Sequence, residues 1–579
     1  MSQGGYDTAM RKTLILDGTW RFMPDMRDAG LSRGWQRHDH PDRDWLRVPV
    51  PRAWDTYSEE FRGYEGIGWL RRDFRWDAAG SDAAIIRFSG AGHHADVWLN
   101  GRRLESHDGS YVPFSLDARQ ALRRGKNVLA VRIRNVFGDR TMPIRNTDWW
   151  KYGGITRPVT LVANDGPMIS RATVLTGGDP ASPMLAFLGR MDALRPGLAV
   201  TAVVESPGRN PVKSRPEPVD RAGEFQIALP GKGLPSWSPE SPRLVRLTLT
   251  LTDRRGRVVD RTGFRFGVRV VSWDGGRLKL NGKPLWLRGV NHVEEYADWT
   301  CSPDPSAMRA RILDMKRGLH ANFYRAAHYP HHPGFLDQCD EMGLLTAGEI
   351  PLCYHPELGD TTAAGKEMLD ELFWNYSRHP SIIWWSTGNE RPTGKTGVAR
   401  GVERLIRHAK SLDPTRPATC VSNRGLGDKS LAAHDILVLN MYYGVWGGTC
   451  PVTADGLARA ARELSRGLDA VHRAFPDKPI VIGEFGAPAF PIPGNVFGGE
   501  RWQAELFRTQ LPVIASKKFV SGCAAWCYQD QRMGSYGKYP VGYLGTTQLE
   551  VFGLKRLDGR PKPAWRVVSR FFRRLKNGF

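Results

Sequence analysis

Ile382-Ile383-Trp384-Trp385-Ser386-Thr387-Gly388-Asn389-Glu390 is a continuous apolar run that ends abruptly in an amide and a carboxylate. A run of this length without alternation suits a strand buried on both faces, as in a parallel sheet covered by helices. In a closed (β/α)8 barrel the last residues of such a strand stand at the C-terminal rim, where side chains from several strands converge. Pro479-Ile480-Val481-Ile482-Gly483-Glu484-Phe485-Gly486 repeats the pattern. The two carboxylates lie 94 residues apart, which is three strands at about 30 residues per βα unit. A single glutamate at a strand end is ordinarily a salt-bridged or solvated rim residue. Two of them facing each other, one preceded by Asn389, are the minimum equipment for hydrolysing a glycoside.

Working outward, the 579 residues predict about three or four domains. The composition, 41% apolar and 25% charged, is that of an ordinary soluble chain. Twenty Trp provide aromatic faces on which sugar rings can stack, although core packing accounts for most of them. The formal charge of +22 comes mostly from Arg scattered along the chain. Nucleic-acid binding would require a concentrated stripe, so the charge is read as compositional bias or attraction to acidic saccharides. All seven cysteines lie at or after Cys301, without Cys-x-x-Cys spacing, and Cys523 and Cys527 share one strand face and cannot bridge. Reduced thiols and a cytoplasmic location follow. The N-terminus lacks an apolar segment behind a basic start, and no apolar run reaches the roughly 18 residues that span a bilayer. The expectation is no membrane and no secretion.

Taken in order, 14–163 shows short alternating segments punctuated by Gly, Pro and Asp, the pattern of a β-sandwich. Asn100-Gly101 signals a hairpin after Ala95-Asp96-Val97-Trp98-Leu99. Gly90-Ala91-Gly92-His93-His94-Ala95 superficially matches a dinucleotide fingerprint, but a strand and not a helix follows, so no cofactor is expected. The polar-aromatic stretch 148–155 reads either as a loop reaching a neighbouring site or as a buried aromatic corner. Alternating strands resume over 164–267. Beyond Phe266-Gly267-Val268-Arg269 the rhythm becomes strand, helix, strand, helix. Strands are predicted at 285–293, 321–329, 344–351, 382–390, 418–423, 436–444, 479–486 and 522–530, with helices at 306–317, 368–376, 398–412 and 457–475. At the C-terminus, Trp565, Val568, Phe572 and Leu575 share one face of a closing helix. The predicted architecture is an N-terminal jelly-roll-like β-sandwich (1–165), an immunoglobulin-like β-sandwich (166–268) and a catalytic (β/α)8 TIM barrel (269–579).

The opening Leu16-Asp17-Gly18-Thr19-Trp20, the immunoglobulin-like middle and the barrel carrying Asn389-Glu390 and Glu484 together resemble glycoside hydrolase family 2, the β-galactosidase and β-glucuronidase family. The likeness covers nearly the whole chain and extends to Tyr152-Gly153-Gly154-Ile155, Gly289-Val290-Asn291-His292, Arg325-Ala326-Ala327-His328-Tyr329-Pro330 and Asn440-Met441-Tyr442-Tyr443-Gly444. It implies Glu390 as acid/base and Glu484 as nucleophile. It further implies that Asn389 holds the sugar 2-hydroxyl, that Tyr442 hydrogen-bonds the nucleophile, and that Asp148, Arg325, His328 and Trp526 contact the sugar. Asn291 and His292 are implied as further sugar contacts. No metal or cofactor is implied, and the resemblance allows a homo-oligomer.

One departure bears on specificity. Family β-glucuronidases grip the substrate carboxylate with Asn-x-Lys after the last barrel strand, and the stretch assigned to that motif here is Leu544-Gly545-Thr546-Thr547-Gln548. A buried carboxylate without a cation is costly, so a neutral, galactoside-like sugar is expected unless Arg532, Lys538 or Arg556 substitutes. The expected activity is retaining, exo-acting β-glycoside hydrolysis with carboxyls about 5 Å apart. A β-glucuronidase or β-galacturonidase with a non-standard grip is the alternative, and a non-catalytic carbohydrate-binding protein is the alternative of another class. Metal chemistry at His328, His331 and His332 is disfavoured by Pro330 and Pro333 and by the lack of His-Glu-x-x-His.

Overall fold

The computed structural model describes residues 11–77, 82–136, 147–298, 300–354, 361–445, 453–534 and 549–576. All eight predicted barrel strands are present: β1 (Leu287–His292), β2 (Phe323–Ala326), β3 (Thr346–Glu349), β4 (Ile382–Asn389), β5 (Ala418–Val421), β6 (Leu437–Asn440), β7 (Ile480–Phe485) and β8 (Val520–Ala525). Six neighbouring pairs form parallel ladders, including β8 with β1. Single bridges, Phe323 to Leu345 and Ser422 to Leu439, join the remaining two pairs and close the cylinder. Every residue of β4 is buried, because helices cover its outer face and barrel side chains fill the inner one.

Around the strands run α1 (Pro305–Leu313), α2 (Pro333–Met342), α3 (Thr361–Tyr376), α4 (Thr396–Leu412), α5 (Ala454–Ala474), α6 (Glu500–Ser516) and α7 (Pro563–Lys576). Helix α5 buries Leu457, Ala460, Ala461, Leu464, Leu468 and Val471, the three-and-four spacing that lays one apolar stripe on the sheet. In α7, Val568 and Phe572 are buried and Trp565 and Leu575 pack beside them, as the periodicity predicts. Two helices escape the sequence pattern. Helix α2 is short and starts at Pro333, whereas α6 carries Pro512 inside it. Between β5 and β6 the described residues form only short 3-10 turns, Gly425–Gly427 and Leu431–Ala433.

Two β-sandwiches precede the barrel. In the first, a four-stranded sheet faces a six-stranded one over a core containing Trp20, Phe22, Leu70, Ile86, Val97 and Val131. Its Asn100-Gly101 hairpin has both residues at positive φ, 55° and 82°, as a tight turn between antiparallel strands requires. Ala91–Gly92 pairs with Gly154–Ile155 and leads into a strand, so the glycine pattern there serves sheet packing. The second sandwich packs a three-stranded sheet on Ala199–Glu205, Val245–Thr252 and Val258–Phe266 with short edge strands. Buried ties join the sandwiches to the barrel. Arg157 is ion-paired with Glu294 at 2.8 Å, and Arg269 donates to the carbonyl of Ile382 at the start of β4.

Candidate active site

The C-terminal ends of the barrel strands open into a cavity of about 710 Å³ lined by Asp148, His328, Glu390, Tyr442, Glu484, Trp526 and Glu550 among others. Strand β7 places Glu484 on its floor, 4% exposed. There one carboxylate oxygen accepts from Arg325 Nη1 at 2.5 Å and the other from the Tyr442 hydroxyl at 2.8 Å. Arg325 itself is fully buried at the end of β2, donates twice to Glu349 on β3, and also reaches the Oδ1 atoms of Asn291 and Asn389. Burial alone would lower its pKa, but the Glu349 and Glu484 charges outweigh burial and hold the guanidinium firmly protonated. Glu349 is likewise pushed up by burial and pulled back below the usual range by Arg325.

Glu390 follows β4 with a positive φ of 48°, a backbone rarely held by a residue with a side chain and concentrated at functional sites. Gly388, two residues earlier, is required: a Cβ there would sit 2.3 Å from the Leu352 carbonyl oxygen. The Glu390 carboxyl accepts from two amides, Asn440 at 2.7 Å and Asn423 at 2.8 Å, and from no cation among the described residues. Burial, and then the negative charge of Glu484, push it up to about 8. One carboxyl is therefore ion-paired and the other is held protonated at neutral pH, the division of labour that glycoside cleavage needs.

The loop from the first sandwich does both things its sequence suggested. Asp148 enters the cavity, accepting from the Tyr354 hydroxyl, while Trp149 packs on His328 and Tyr329. Burial raises the Asp148 carboxyl above its ordinary range. Asn389, at the end of β4, leaves its Nδ2 buried without a partner among the described residues, although its Oδ1 accepts from Arg325 and Asn440. His328 lies over Trp526, ring centroids 5.0 Å apart.

Four of the expected sugar contacts, Asn291, His292, Arg325 and Asn389, are not among the residues that line the cavity. The Asn291 amide donates to the carbonyls of Gly483, Ala524 and Ala525 and accepts from Arg325, so it braces the barrel beneath the floor. His292, one residue on, faces the opposite side of β1 and packs among Tyr324, His331, Phe335 and Tyr528. Its assignment as a sugar contact is corrected on that ground: successive strand residues point to opposite faces. Arg325 is also beneath the floor and acts on Glu484. His332 caps α2 through Gly334 N, and His331 is buried against aromatic rings.

Other residues join the site that the sequence reading did not single out. Glu349 and Asn440 end apolar strands just as Glu390 and Glu484 do, and that shared signal could have found them. Asn423, Tyr354, Glu550 and Phe552 come from loops or a two-residue strand and carry no such signal. The stretch 544–548, assigned to the Asn-x-Lys position, and Lys538 lie outside the described residues. Of the other proposed cations, Arg532 is paired with Glu295 and Arg556 with Glu500.

A TIM barrel with two carboxyls of opposed character in one rim cavity, approached by a sandwich loop, is the site of a glycoside hydrolase. The family models agree. Residues 271–509 match "Glycosyl hydrolases family 2, TIM barrel domain" and residues 13–165 match "Glycosyl hydrolases family 2, sugar binding domain", and the chain belongs to this family. It is 26% identical to a β-glucuronidase of Paenibacillus borealis, over 90% of this chain and 92% of that protein. It is 28% identical to a β-galactosidase of Enterobacter cloacae over 96% of this chain, but only 56% of that protein. Among solved structures, a Bifidobacterium dentium β-glucuronidase complexed with coumarin-3-O-glucuronide superposes with a TM-score of 0.86, at 23% identity and 98% coverage of both chains. These findings make the protein a β-glycosidase. No helix among the described residues is long and apolar enough to cross a membrane.

Proposed function

We propose that the protein is a retaining, exo-acting β-glycosidase in which Glu484 is the nucleophile and Glu390 the acid/base. The observation that carries the reading is the contrast between the two carboxyls: Glu484 faces Arg325 and Tyr442, whereas Glu390 faces two amides and is pushed up to about 8. In the first displacement Glu484 attacks the anomeric carbon. The bond to the leaving oxygen breaks as Glu390 transfers its proton to that oxygen. The glycosyl ester neutralises Glu484, which removes the charge that, after burial, raised the Glu390 carboxyl. Glu390 then takes a proton from water, whose oxygen attacks the anomeric carbon and restores both carboxyls. The Asn389 Nδ2, buried without a partner among the described residues, is assigned to the sugar 2-hydroxyl, Tyr442 orients the nucleophile, and Asp148, His328 and Trp526 line the glycone space.

The substrate is a small glycoside. Likeness to several β-glucuronidases favours a β-glucuronide over a β-galactoside. A glycone without a carboxylate is the second reading, favoured by the acidic wall that Glu550 adds to the cavity. Six described cysteines are buried free thiols, which supports a cytoplasmic location. The test is NMR of the first-formed product from an aryl β-glycoside. The β anomer is expected, and the α anomer would show inversion and overturn the assignment of Glu484.

A further inference from the structure

The cavity has a closed end and an open one. Asn423, Arg424 and Arg459 at the mouth are exposed, whereas Asp148, Trp526 and Glu550 are each less than 8% exposed. Asn423 hydrogen-bonds Glu390 from the mouth side. A glycoside whose leaving oxygen meets Glu390 therefore directs its aglycone toward the mouth and its sugar toward Trp526 and Glu550.

Glu550 is built into that end. Its backbone pairs with Gln531 in a two-residue ladder, its Oε1 accepts from Trp526 Nε1 at 2.7 Å, and its Oε2 accepts from Gln531 Nε2 at 2.6 Å. Arg532 is paired with Glu295 and Arg556 with Glu500. We propose that Glu550 is a specificity-determining residue of the glycone subsite, favouring a sugar that presents a hydroxyl there over one that presents a carboxylate. This rests on the glycosidase reading above and deepens its second form, the glycone without a carboxylate.

The chemistry is one of matching donors to acceptors. Once both Glu550 oxygens have taken an N–H, their remaining lone pairs still accept from a sugar hydroxyl. A glycone carboxylate is acceptor only, and it meets Glu550, Asp148 and Glu484 together. It finds a donor in Glu550 only while Glu550 is protonated, and like charges oppose each other when both are ionised. Burial, then the Asp148 charge, push Glu550 up to about 8. Discrimination against a uronide therefore sharpens as pH rises through that value. Among the described residues, the titratable groups facing Glu550 are Asp148, Glu484, Tyr442 and Cys527, with His328 behind Trp526. Burial holds Tyr442 and Cys527 uncharged at neutral pH.

The experiment compares kcat/KM for nitrophenyl β-glucuronide and β-galacturonide with the matching β-glucoside and β-galactoside. Wild type and Glu550→Gln are each measured from about pH 6 to about pH 9, on either side of the Glu550 transition. In the wild type the uronide-to-hexoside ratio falls with pH. In Glu550→Gln the ratio at about pH 8 rises about tenfold or more and its pH dependence flattens. Glu550→Ser is read the same way if Glu550→Gln folds poorly. An unchanged or lower ratio in the variants, a slope that persists without Glu550, or uronide turnover undetectable in every form would overturn the proposal. Failure of the wild type to cleave any of the four, despite native far-UV circular dichroism, would instead sink the glycosidase reading, and this inference with it.

Discussion

The two ends of the catalytic pair are built from different chemistry. Around Glu484 the barrel supplies a guanidinium and a phenol, with Glu349 as a second anion sharing the same Arg325. Around Glu390 the described residues supply the amides of Asn423 and Asn440. Both carboxyls end apolar strands and both face the same cavity, so position alone does not assign their roles. The donors do. A cation within hydrogen-bonding distance stabilises an anion, whereas burial beside a second anion raises a carboxyl that has only neutral donors nearby among the described residues.

The largest test of this contrast is Glu484→Gln. The amide keeps the shape and loses the nucleophile, so turnover of any aryl β-glycoside falls by at least about 10⁴-fold in steady-state kinetics. Glu390→Gln is expected to behave differently and to depend on the leaving group. An alkyl glycoside, which leaves only with a proton, loses about 10²–10⁴-fold in kcat/KM, whereas a nitrophenyl glycoside loses much less in the first displacement. Equal losses on both substrates would break the comparison.

Arg325→Met should follow in size. It leaves Glu349 and Glu484 buried without their cation, a change that costs about 3–5 kcal/mol, read as a lower denaturant midpoint. The smallest effects belong to the amides. Asn423→Ala removes one partly exposed hydrogen bond and should change kcat/KM by about tenfold or less. Asn440→Ala sharpens the contrast through pH. Because Glu390 must be protonated for the first step and is held at about 8, kcat/KM falls as pH rises past that value. The Asn440 amide stabilises the anion, so its loss moves the alkaline limb to higher pH.

Much of this was legible in the sequence because barrel strands announce themselves. Runs such as 382–390 and 479–486 are apolar without alternation and stop at a polar residue, so both strand type and rim position follow from one pattern. What was lost had physical causes. His292 is a sugar contact only by resemblance, yet adjacent strand residues face opposite ways and His292 belongs to the helix layer. Helix α6 was missed because Pro512 breaks the usual pattern. Glu550 and Phe552 lie after the last barrel strand in a segment without periodicity, and only the fold brings them to the cavity wall. Asp148 was readable only by resemblance, since nothing local in a sandwich loop tells which neighbouring domain it enters.

The most direct measurement is covalent trapping. A 2-deoxy-2-fluoro β-glycoside with an activated leaving group slows hydrolysis of the glycosyl-enzyme, and peptide mass spectrometry then locates the sugar. The label is expected on Glu484, in one copy per chain, and to be absent from Glu484→Gln. A label on Glu390 or elsewhere, or turnover of the substrate with no adduct at all, would contradict the assignment of an ion-paired nucleophile and a protonated acid.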